Sequence, residues 1–127
     1  MIFCIVSSMK DTKITGNIAE DAVTRILMRK GLNLIARNYN IPNVGELDIV
    51  MNKGRCLYVI EVKSRLENNL QSPIDAIDRK KRNKILKTTR IFMLREGYTD
   101  YDVIFLAGCV THNREGVVQK IEIVPFE

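Results

Sequence analysis

The chain has no tryptophan, a single histidine and only three prolines among its 127 residues. Aromatic residues make up 6%, and no aromatic strand motif of the kind that stacks RNA bases is present. The lone histidine, His112, stands beside Asn113 and Gly116 in a turn-like stretch, which argues against a catalytic triad or a histidine-based metal site. The three cysteines, Cys4, Cys56 and Cys109, are odd in number and form no Cys-x-x-Cys pair. They read as reduced thiols in a reducing compartment rather than as a zinc site or a disulfide framework. No apolar run approaches the roughly 20 residues that span a bilayer. Met1 to Val6 is apolar, but it lacks the charged start and small-residue cleavage site of a secretory signal. Met9, followed by Lys10 and Asp11, reads as an equally good translation start, so residues 1–10 are read as a disordered extension. These absences lead to the expectation of a cytoplasmic protein without membrane contact.

The length suits one compact domain covering residues 1–127. With 46% hydrophobic and 28% charged residues, the composition is that of an ordinary globular protein. Twenty lysines and arginines against fifteen acids give a net charge of +5. That balance mildly favours a polyanionic partner.

Apolar periodicity predicts a first helix from about Asn17 to Lys30, with Asn17 as cap, Glu20 completing a capping box and Gly31 ending it. Strands follow at Leu32–Tyr39, Glu46–Met51 and Cys56–Lys63, the last two joined by a tight turn at Asn52-Lys53-Gly54. The third is apolar on both faces until its end, which marks a central strand. Ser72 and Pro73 read as the start of a second helix running to Arg95, stopped by Gly97. Two further strands are expected at Tyr101–Ala107 and Val117–Val124. The order α-β-β-β-α-β-β implies an α/β domain with a mixed sheet flanked by helices.

Two neighbouring strands carry the chemistry. One holds Glu46 and Asp48, the other Glu61, Val62 and Lys63. Side chains alternate along a strand, so Glu61 and Lys63 share a face. Pairing through the turn near Gly54 brings Asp48 opposite position 60 or 61. Two carboxylates on a rigid edge can hold a hard divalent cation, Mg2+ or Mn2+, through oxygen, with the Val62 carbonyl as a further ligand. Lys63 would then orient a water and stabilise charge on a phosphate. Glu61 interrupts the apolar run Leu57 to Val62, where a charge is costly without a partner.

The sequence resembles the YraN-type family, small proteins related to the PD-(D/E)XK nuclease superfamily. The matching stretches are Gly16-Asn17-Ile18-Ala19-Glu20-Asp21, Ala36-Arg37-Asn38-Tyr39, Gly45-Glu46-Leu47-Asp48-Ile49-Val50 and Val59-Ile60-Glu61-Val62-Lys63-Ser64-Arg65, with the helix around Lys81. The resemblance implies a restriction-endonuclease-like core and divalent-metal phosphodiester chemistry. It puts Asp48, Glu61 and Lys63 at the core catalytic positions, adds Glu20 as a further acid, and places Lys81 where related nucleases carry a polar residue. Leu47 stands where the superfamily's name has proline, and Arg82 where glutamine is expected in this family.

The second helix carries six basic residues within nine positions: Arg79, Lys80, Lys81, Arg82, Lys84 and Lys87. Lys81 shares a stripe with Ile74, Ile77, Ile85 and Thr88 and is expected to point inward, toward the acids. Arg79, Lys80, Arg82, Lys84 and Lys87, with Arg65 beyond the third strand, are the candidate contacts to nucleic acid. Asp102 is expected to pair with an arginine. The expected partner is nucleic acid, DNA first, bound through its backbone; a homodimer would suit a duplex cutter. The alternative is a nucleic-acid-binding module of the same fold without turnover.

Overall fold

The computed structural model describes residues 18–68, 72, 75 and 77–127, together with the backbone of 5–7. Its elements are β1 (Ile5–Ser7), α1 (Ile18–Arg29), β2 (Asn33–Ile41), β3 (Gly45–Lys53), β4 (Cys56–Leu66), α2 (Arg79–Glu96), β5 (Asp102–His112) and β6 (Val118–Phe126). They build one six-stranded sheet in the order β1-β6-β5-β4-β3-β2. Only β4 and β5 run parallel, and every other neighbouring pair is antiparallel. The mixed sheet and the element order from α1 onward are those expected from the sequence.

Each helix covers one face. Ala22, Val23, Ile26 and Leu27 of α1 pack with Ile49, Met51, Ile60, Leu106 and Val110. On the other face, Ile85 and Phe92 of α2 pack with Val50, Leu57, Val59 and Ala107. Strand β4 feeds both clusters from alternate residues, hence its double-sided apolar sequence. Helix α1 ends at Gly31, whose φ of 93° is left-handed, and Leu32 donates its N–H back to the Leu27 carbonyl.

Three expectations are corrected. Ile5–Ser7 form a strand paired with Ser7↔Ile121 and Ile5↔Ile123, so part of the first ten residues is ordered on the sheet and β6 is no bare edge there. The cap at Asn17 lies outside the described residues. The second helix starts at Arg79, not at Pro73 behind a Ser72 cap: Asp78 caps it, its carboxylate accepting the Lys81 N–H at 2.8 Å. The Ser72 hydroxyl instead accepts the Asp75 N–H at 3.2 Å in a turn upstream, the same local grammar used without a helix behind it; Pro73 and Ile74 lie outside the described residues. Finally, the β3–β4 hairpin pairs Lys53 with Cys56, which leaves Gly54 (φ 57°) and Arg55 as its two-residue turn. Among the described residues no helix is long and apolar enough to cross a membrane.

Candidate functional site

The β3–β4 ladder pairs Lys53↔Cys56 through Ile49↔Ile60 and then stops, while β4 stays paired to β5 as far as Leu66. The two strands therefore part at Asp48 and Glu61, which stand opposite each other at the fork. Backbone donors freed by such a fork need new acceptors. The Asp48 carboxylate supplies one: its Oδ2 accepts the Val62 N–H at 2.9 Å. In an antiparallel strand a residue's N–H and C=O point to the same edge. The Val62 carbonyl thus faces the fork along with its N–H.

Asp48 reaches across because its strand turns over there. Met51 and Ile49 belong to the core on the α1 side and Val50 to that on the α2 side, as alternation requires. Leu47 should return to the α1 side but packs on the α2 side. At the turnover the Asp48 carboxylate meets β4's backbone edge.

Glu61 is 4% exposed. Its Oε1 lies 3.3 Å from Lys81 Nζ and 3.9 Å from Lys63 Nζ. The two lysine side chains are each about two-fifths exposed (40% and 39%). Burial and the Asp48 carboxylate push Glu61 up to about 7, with Lys81 and Lys63 opposing. Burial also raises Asp48, and Glu20 adds to the rise, while the bond from Val62 opposes it. A buried Glu61 and a half-buried Asp48 that both resist ionising form a site short of positive charge.

The predicted site residues separate into three groups. Asp48, Glu61, Lys63 and Lys81 meet at one point. Glu20 faces it from α1: its Oε1 accepts from Asn38 Nδ2 at 3.1 Å and pairs with Arg37 at 3.3 Å. Glu46 is tied to the same Asn38 amide at 3.2 Å. Lys80, Lys84 and Lys87 are exposed along one side of α2, and Arg79 is exposed as well. Arg65 and Arg82 depart from the expected open basic face. Arg65 binds Glu122 at 3.0 Å and Thr111 at 3.3 Å and is largely covered. Arg82 donates to the Ile77 carbonyl at 2.9 Å and to the Glu127 carbonyl at 3.2 Å, and lies over the Phe126 ring. Both guanidiniums clamp the fold where phosphate contacts were expected. Arg55 pairs with Asp100, not with Asp102. A cavity of about 630 Å³ lies beside Arg79, Arg82, Phe105 and Phe126; none of Asp48, Glu61 and Lys63 lines it.

Sequence reasoning passed over Asn38 and Arg37 as individuals. The available signal was an asparagine, a poor strand former that tolerates positive φ, inside a strand.

Among the described residues no group of three or more His, Cys, Asp or Glu side chains converges on one point. The donor set is the Asp48 and Glu61 carboxylates with the Val62 carbonyl beside them. All are oxygen, and two carboxylates suffice for a cation that keeps most of its waters, as Mg2+ does. These residues fit such an ion.

A family model described as "Uncharacterised protein family UPF0102" matches residues 19–106. The chain belongs to the UPF0102 family. This is the YraN family that the motifs resemble. A UPF0102 protein of Fusobacterium nucleatum is 35% identical over 95 residues, 75% of this chain and 79% of the relative. One from Dictyoglomus thermophilum is 35% identical over 83 residues, 65% and 70% of the two chains. One from Alkaliphilus metalliredigens is 30% identical over 110 residues, 87% and 96%. The UPF0102 match takes in Glu20, Asp48, Glu61, Lys63 and Lys81.

Proposed function

We propose that this UPF0102 protein is a metal-dependent phosphodiester hydrolase of the PD-(D/E)XK type, acting on DNA with Mg2+ or Mn2+. The observation that carries the reading is the fork itself. Asp48 and Glu61 stand side by side, both disfavoured as anions by burial, with the Lys81 and Lys63 ammoniums at the Glu61 carboxylate.

Asp48, Glu61 and the Val62 carbonyl would hold a divalent cation, which would supply Lewis-acid charge for a phosphoryl oxygen and acidify a water. The chain's own groups do the rest. Lys81, nearer to Glu61, favours that carboxylate's ionised form against burial and Asp48 and fixes it in place. Lys63, farther away, has donors left for a phosphoryl oxygen or for the attacking water, so it positions the nucleophile and offsets the charge that builds on phosphorus. The reaction adds water across a P–O bond: the water oxygen bonds to phosphorus and the leaving oxygen departs with a proton. Glu20, held beside Asp48, deepens the negative potential that attracts the cation.

The substrate class follows from the flanking charge. Lys80, Lys84 and Lys87 lie on one stripe of α2 beside Lys81, spaced four and three residues apart. Such a row neutralises backbone phosphates irrespective of sequence. Branched or damaged DNA in a cytoplasmic repair or recombination setting, and a homodimer on duplex substrates, belong to this reading.

The test is cleavage of duplex, single-stranded, nicked and junction DNA with Mg2+ or Mn2+. Cleavage that is lost in Asp48→Ala and in Lys63→Ala is expected. Failure on every substrate by protein shown to carry bound metal removes the hydrolase reading.

A further inference from the structure

The element that aims the carboxylates lies on β2, a strand that contributes no acid to the fork. Its residue Asn38 sits across from Asp48, between the pairs Arg37↔Ile49 and Tyr39↔Leu47. Asn38 has a φ of 51°, inside a strand, where a positive φ is foreign to the pleat. The consequence can be read from its neighbours. Arg37 reaches the α1 side, binding Glu20 at 3.3 Å and Asp21 at 3.0 Å. Tyr39, two residues on, packs edge-on against Phe92 of α2, with ring centroids 4.8 Å apart. Strand β2 has therefore turned over at Asn38, in step with β3 at Asp48, where Leu47 crosses to the α2 side. The pairing register is unchanged through this point. The turnover is thus a coupled twist of two strands rather than an inserted residue.

The Asn38 side chain acts at the same place. Its amide nitrogen lies 3.1 Å from Glu20 Oε1 and 3.2 Å from Glu46 Oε1. An amide NH2 carries two hydrogens, so it can donate to both. A neutral donor thereby ties Glu46 to Glu20, the acid whose charge reaches Asp48 and which also pairs with Arg37.

We infer that Asn38 is the positioning residue of the site: its left-handed backbone turns β2 and β3 so that Asp48 meets β4 at Val62, and its amide bridge sets Glu20 beside Asp48. The inference rests on the reading of Asp48 and Glu61 as a cation site. Its two halves separate by substitution. Asn38→Gly keeps the positive φ and removes the bridge. Asn38→Val removes the bridge and disfavours the backbone turn, because a β-branched residue rarely adopts positive φ.

The experiment pairs amide hydrogen exchange in the metal-free protein with Mn2+ affinity by titration calorimetry. Exchange reads the Val62 N–H, whose acceptor is Asp48. Asn38→Gly should keep Val62 protection and bind Mn2+ about tenfold more weakly, the usual cost of losing a group that orients metal ligands. Asn38→Val should in addition lose at least tenfold protection at Val62 while core amides such as that of Leu106 keep theirs. A merely structural role would lower protection throughout, without this split. Parental Mn2+ affinity in Asn38→Gly overturns the bridge. Parental Val62 protection in Asn38→Val overturns the backbone role, and if Asn38→Val does not fold, loss of Val62 protection in Asn38→Gly counts against it. Should the parent protein bind no Mn2+, the hydrolase reading falls on its own, and exchange at Val62 still decides whether Asn38 aims Asp48.

Discussion

Replacing Glu61 by glutamine should make the metal-free protein more stable at neutral pH and less so when metal is present. Glu61 is 4% exposed and its carboxyl is pushed up to about 7 from an ordinary 4.5, first by burial and then by Asp48. A folded acid with a raised pKa holds its proton more tightly than the unfolded chain does. Stability therefore falls as pH rises from about 4.5, where the unfolded carboxyl ionises, to about 7, where the folded one follows. Each pKa unit corresponds to about 1.4 kcal/mol. The full cost is then on the order of 3 kcal/mol, before Asp48 readjusts. Glutamine has the same shape, carries no charge and can donate to Asp48. It leaves Lys63 and Lys81 without a carboxylate, but both side chains are about two-fifths exposed. Urea unfolding of both proteins in EDTA should give a stability difference in favour of Glu61→Gln that grows between pH 4.5 and 7 and is level above it. Mn2+ at 1,000 times its Kd should reverse the order, since ligand at that excess stabilises the protein that binds it by about 4.1 kcal/mol, more than the ionisation costs. A pH-independent difference, or one that grows on acidification, refutes the argument that Glu61 is ionised against its surroundings.

Three further outcomes follow from the same geometry. Asp48→Asn removes the charge that helps to raise Glu61, so a carboxyl NMR titration should place Glu61 lower than in the parent. Gly45→Ala would put a Cβ 2.5 Å from the Thr88 hydroxyl, which is buried and bonded to the Lys84 carbonyl. The overpacking should cost about 1–3 kcal/mol in thermal or urea unfolding and be relieved by adding Thr88→Ala. Neutralising Lys80, Lys84 and Lys87 together should flatten the logarithmic dependence of DNA affinity on salt by about 2–3, with Mn2+ affinity unchanged. An unchanged slope would move the phosphate footprint elsewhere.

The two carboxylates and Lys63 were legible because strand alternation and a short hairpin have few solutions. Once the turn lies near Gly54, Asp48 can only stand opposite Glu61 or its neighbour. Lys81 was legible from its stripe with Ile85 and Thr88, although the helix begins six residues later than expected. There the Ser72-x-x-Asp75 pattern and Asp78 offer similar caps, and only packing chooses between them. Arg65 and Arg82 were misread for a physical reason. A basic residue in sequence carries no sign of the partner it will find, and their partners lie in distant segments at Glu122, Phe126 and Glu127. The turnover at Asn38 and Asp48 was hidden because pattern reasoning assumes unbroken alternation, and here both strands abandon it together. The short strand Ile5–Ser7 was hidden too, since three residues carry no periodicity and its pairing to β6 is set from the other end of the chain.

The most direct measurement is anomalous diffraction from crystals of the protein equilibrated with Mn2+. A single strong peak within about 2–2.5 Å of carboxylate oxygens of both Asp48 and Glu61 is predicted. Saturating Mn2+ that leaves the fork without a peak, or that binds only at other acids, contradicts the account.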